Sequence, residues 1–84
     1  MLSYLILCRS LTYAQRAAST LERAGVTATV ARTPAELAEG GCGYSVRVSE
    51  RRFAFALEVL RAKNVPFGRA YLVAADGSYR EAAL

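Results

Sequence analysis

The chain has 84 residues, 54% of them hydrophobic, and a formal net charge of +4 from 11 basic and 7 acidic side chains. That hydrophobic content excludes a disordered chain, and no apolar run reaches the ~20 residues of a membrane-spanning helix. The mild basic excess is spread along the sequence, so it fits a solvated surface with weak attraction for anions and does not call for nucleic acid.

Ser3–Cys8 is an almost wholly apolar run of residues that suit a strand, and its continuity predicts a central position in a sheet. Arg9 and Ser10 interrupt it. Thr12 with Gln15 reads as a capping box, with Ser10 as the alternative cap. Leu11, Ala14, Ala18 and Leu21 recur at helical spacing, and Gly25 reads as the helix stop. Val26, Ala28 and Val30 alternate with Thr27 and Thr29, which predicts a strand with one wet face.

A long connection follows, Thr33 to Gly43. Thr33 before Pro34 reads as a cap ahead of one or two helical turns, ended by Gly40 and Gly41. Tyr44, Val46 and Val48 alternate as the inward face of a third strand, leaving Ser45 and Arg47 on the open face. Ser49 reads as the cap of a second helix with Phe53, Ala56, Leu57 and Leu60 as its apolar face. Asn64 and Pro66 end that helix. Ala70–Ala74 is the last predicted strand, Asp76-Gly77 a turn, and residues 76–84 a short, loosely held tail.

The order β-α-β-β-α-β predicts an α+β, ferredoxin-like single domain over residues 1–75. Its expected form is a four-stranded antiparallel sheet of order 4-1-3-2 with two helices on one face. No targeting signal is evident, because Leu2–Cys8 lacks a basic start and a cleavage site, so a cytoplasmic location is expected.

The two cysteines, Cys8 and Cys42, form no CxxC, and the chain has no histidine. Ser-His and Cys-His nucleophile pairs are therefore excluded, as is catalysis that depends on histidine-held zinc or iron, and no cofactor or metal is expected. Cys8, at the end of an apolar strand, reads as a packed side chain. Cys42, between Gly41 and Gly43, reads as a reactive thiol. The expected topology brings its loop to the end of the sheet that carries Cys8, Arg9, Ser10 and the first helix N-terminus. A cation and a helix N-terminus both favour a thiolate.

The opening Tyr-Leu-Ile-Leu strand, Arg9-Ser10, Thr33-Pro34-x-Glu36-Leu37 and then Gly41-Cys42-Gly43 resemble the DUF3343 family of Se/S carrier protein-like proteins, over about Tyr4 to Val73. The resemblance implies a sulfur or selenium carrier rather than an enzyme. Cys42 would accept the atom as a persulfide or selenopersulfide, with Gly41, Gly43, Arg9, Ser10, Thr33 and Pro34 around it. Sulfur or selenium donor and acceptor proteins would be its partners. The family pattern gives Cys8 no role, but its expected proximity to Cys42 makes it a candidate resolving thiol. A competing expectation is a binding or regulatory module that dimerises through the open sheet face, with Tyr4, Ile6 or Leu72 supplying apolar surface. RNA binding ranks below both, because the third strand turns Tyr44 away from the open face.

Overall fold

A computed structural model describes residues 2–38 and 43–84. Among the described residues it is an α+β fold of two α-helices and one antiparallel sheet. The strands are β1 (Ser3–Cys8), β2 (Thr29–Arg32), β3 (Tyr44–Ser49), β4 (Ala70–Val73) and β5 (Tyr79–Glu81), and the helices are α1 (Leu11–Arg23) and α2 (Phe53–Ala62). The sheet order is β2-β3-β1-β4-β5, five strands rather than the four expected. The apolar β1 lies between β3 and β4, where both of its hydrogen-bonding edges are used.

The fifth strand comes from the segment expected to be a loose tail. Asp76 Oδ1 accepts from the Ser78 N–H (2.9 Å) and hydroxyl (2.6 Å), and Gly77 adopts φ +87°. This turn folds the chain back so that Tyr79–Glu81 pairs with Tyr71–Val73. The pairing satisfies the outer edge of β4, which a strand of only three residues would not advertise on its own.

Directly paired residues share a face of the sheet. Ile6, Cys8, Val46, Val48 and Ala70 face the helices and form the main core with Ala14, Ala17, Leu21, Ala56, Leu57 and Leu60. Tyr4 joins this face and stacks on Phe53, ring centroids 3.7 Å apart, which seats the first turn of α2 on β1. The residues named above as an apolar open face are therefore placed otherwise: Tyr4 and Ile6 lie under the helices. The second face carries Leu5, Leu7, Tyr71, Val73 and Tyr79, and Leu37 packs on it.

Both helices stop in the same way. Beyond α1, the Val26 N–H reaches the Leu21 carbonyl and the Gly25 N–H that of Glu22. Beyond α2, Val65 reaches Leu60 and Asn64 reaches Arg61. These are paired Schellman closures, with Gly25 (φ +86°) and Asn64 (φ 56°) in the left-handed position. In each, a buried valine follows and packs into the core.

The helix starts differ from expectation. Ser10, not Thr12, caps α1, accepting from the Tyr13 N–H at 3.3 Å. Ser49 makes no side-chain capping bond and leads into a 3-10 turn, Glu50–Arg52, ahead of α2. Among the described residues, no helix is long and apolar enough to cross a membrane.

Candidate functional site

The end of the sheet where β1 finishes gathers most of the candidate residues. Cys8, the last residue of β1, is paired with Tyr44, the first of β3. The cap at Ser10 starts α1 two residues later, so its N-terminal N–H groups open at this end. Arg9, between strand and cap, is exposed. On the far side of β3, Arg32 pairs with Tyr44, and its guanidinium lies 5.7 Å from that ring's centroid. Two cations thus flank the Cys8–Tyr44 pair. Arg32 was missed in the sequence, where its only signal is its place as the last residue of an alternating strand.

The connection after β2 is anchored rather than free. The Thr33 N–H donates to the Gly43 carbonyl at 2.8 Å, which extends the β2–β3 ladder by one step. The Pro34 carbonyl accepts from Leu37 (2.9 Å) and Ala38 (3.1 Å), closing a single turn. The expected helical turns reduce to this, and Thr33 does not cap them: its side chain is buried and, among the described residues, Oγ1 has no hydrogen-bond partner. Leu37 supplies the anchor, packing against Leu5 and Leu7 on the second face of the sheet. Ser45, expected on an open face, is fully buried there, with its hydroxyl 3.5 Å from the Ala31 carbonyl. Gly41 and Cys42 lie outside the described residues.

Cys8 is 1% exposed, and its Sγ lies 3.7 Å from the Ile6 carbonyl. It borders a cavity of about 250 Å3 lined also by Arg9, Tyr13, Pro66, Phe67 and the backbone around Gly68. The Gly68 N–H donates to the Leu7 carbonyl at 2.7 Å, and a Cβ on Gly68 would sit 3.4 Å from that oxygen. The α2–β4 connection is thereby held against the end of β1. Tyr13 and Phe67 were not singled out in the sequence, because only the fold brings the first turn of α1 to the loop after α2.

The chemistry available at this end is electrostatic. Guanidinium groups and helix N–H dipoles favour anions, thiolates and persulfides included. A family profile described as "Putative Se/S carrier protein-like" matches residues 3–72. The chain belongs to this family. The match runs from the first residue of β1 into β4 and spans the connection with Cys42, while β5 lies beyond it. No curated protein and no solved structure matches the chain.

Proposed function

We propose that the protein carries sulfur or selenium as a persulfide or selenopersulfide on Cys42. The observation that carries this reading is the family match across residues 3–72. Between the two cysteines, burial supports the assignment: Cys8 is 1% exposed inside the core, where a donor protein's persulfide has no approach. Arg9, Arg32 and the start of α1 support an anionic cargo at the end of the sheet from which the connection departs.

The transfer is a thiol exchange without net redox change. The Cys42 thiolate attacks the outer sulfur of a donor persulfide. The donor S–S bond breaks, the donor leaves as its thiolate, and Cys42 holds the sulfane atom. An acceptor nucleophile then takes that atom and returns Cys42 to the thiolate. Such a thiol functions in a reducing compartment, which agrees with a cytoplasmic protein. The framework for it is a ferredoxin-like sheet extended by β5.

The test is mass spectrometry after incubation with a cysteine desulfurase and cysteine. The whole protein and Cys8→Ser gain one sulfur, about 32 Da, while Cys42→Ala does not. An adduct that survives Cys42→Ala, or none on the native chain, overturns the assignment. Retention of the adduct in Cys8→Ser, together with no Cys8–Cys42 disulfide when the loaded native chain is discharged, assigns Cys8 to packing rather than to resolution.

A further inference from the structure

A second convergence of polar groups lies at the opposite end of the sheet. There a groove of about 620 Å3 runs between the start of β1, the α1–β2 connection and the start of α2. Arg47 and Arg52 line it, with the hydroxyls of Ser3, Thr27, Thr29 and Ser49, and no carboxylate is among its lining residues. Its volume lies within the ~300–1,000 Å3 of small-molecule sites.

We propose that this groove binds a phosphorylated small molecule of about nucleotide size, with its phosphate between Arg47 and Arg52. Each guanidinium already makes a contact within the protein. Arg47 Nη1 donates to Ser3 Oγ at 2.7 Å. Arg52 Nη2 donates to the Gly25 carbonyl at 3.4 Å, and its guanidinium lies 5.2 Å from the Phe55 ring centroid. A guanidinium carries five N–H donors in a planar fork, so one holding contact leaves a pair free in geometry to meet a phosphate. Ser49 adds a hydroxyl not spent on capping. Thr29 is paired with Arg47 across β2 and β3, which sets its hydroxyl beside that guanidinium's strand position. A bare phosphate fills a small part of the groove, and the remaining space suits an organic body.

The two ends are independent. Ser3 borders the groove and Cys8 the other end, and the five residue steps of β1 between them span about 17 Å at ~3.3 Å per residue. Binding in the groove therefore neither requires nor reports the carrier reading.

The test is an amide NMR titration of the full chain with adenosine diphosphate, inorganic phosphate and a single-stranded oligonucleotide, in about 0.1 M chloride to screen weak surface attraction. Saturable shifts are expected at Ser3, Gly25, Thr27 and Ser49, with the diphosphate binding about tenfold or more tightly than phosphate. Arg47→Gln and Arg52→Gln should each weaken it about fivefold or more with the unfolding midpoint retained. Should Arg47→Gln fail to fold, Arg47→Lys, which keeps the charge and loses the fork, gives the same weakening. Several results overturn the proposal. They are no saturation by about 10 mM, unchanged affinity in the variants, shifts centred instead on a second groove lined by Arg16, Arg23 and Lys63 at the ends of the two helices, phosphate binding as tightly as the diphosphate, or a preference for the oligonucleotide.

Discussion

Cys8 and Tyr44 sit opposite each other across the adjacent strands β1 and β3, both turned toward the helices, with the Arg32 guanidinium 5.7 Å from the tyrosine ring centroid. The thiol is 1% exposed, and Tyr44 packs against the same core cluster. In a Cys42→Ser background, Cys8 should therefore react slowly with a thiol reagent under native conditions. Tyr44→Ala should speed that reaction by about tenfold or more, because packing at the paired strand position is lost and local opening becomes easier. Tyr44→Phe should leave it slow. Timed alkylation read by mass spectrometry distinguishes these outcomes.

Leu37 is the apolar foot of the connection that leads to Cys42. Leu37→Ala should lower stability by about 2–3 kcal/mol, at the low end of buried Leu→Ala changes, because a surface turn can partly resettle. The loss should be accompanied by faster amide exchange at Thr33, whose N–H closes the ladder to Gly43. Urea unfolding with residue-resolved exchange measures both. A stability loss with unchanged Thr33 exchange contradicts an anchoring role.

The paired helix closures make a prediction of opposite signs. Gly25→Ala places a Cβ at φ +86° and should cost about 1 kcal/mol, even though no atom lies within 4 Å of that Cβ. Asn64→Gly relieves a left-handed non-glycine residue and should stabilise by about 0.5 kcal/mol. Paired denaturation curves of the two variants decide the matter.

At the turn before β5, the Ser78 hydroxyl and N–H, donating to Asp76, hold that carboxyl below its ordinary pKa, with Arg80 adding a smaller push in the same direction. A lowered folded-state value means the contribution is present above the unfolded value. It is lost as acid carries the pH down through the folded one. Titration followed at the Asp76 carboxyl should give a midpoint under the ordinary aspartate value, and Ser78→Ala should move it upward. The protection of the β4–β5 amides, corrected for the intrinsic exchange rate at each pH, should begin to fall in that same acid range.

How far each element could be read in advance follows from where its information resides. The first four strands and both helices are written in local periodicity: the unbroken apolar run of β1, the alternation of β3, the spacing of Ala14, Ala18 and Leu21. Gly25 announces its own stop because few other residues tolerate that backbone. β5 is not local in this sense. Tyr79, Arg80 and Glu81 become a strand because β4 offers an unsatisfied edge, and that edge is known only once β1 has been placed beside it. The same holds for Ser45, polar by type yet buried by position, and for Leu37, which looks like one apolar residue in a loop until Leu5 and Leu7 lie beneath it. At the candidate site, Arg9 and Ser10 could be placed from strand direction. Arg32, Tyr13 and Phe67 could not, because cross-strand pairing and loop docking bring them there.

The position of β1 also governs the order in which the molecule can assemble. The β2–β3 and β4–β5 pairs join neighbours in the chain, but Ser3 must find both Ser49 and Val73. Closing such wide loops costs entropy before any contact repays it. On this ground the first segment is expected to dock late, into the gap between the β2–β3 and β4–β5 hairpins. Folding speed should depend on how readily that gap is filled, so changes at Leu5 and Ile6 should slow folding more than equally destabilising changes in β5.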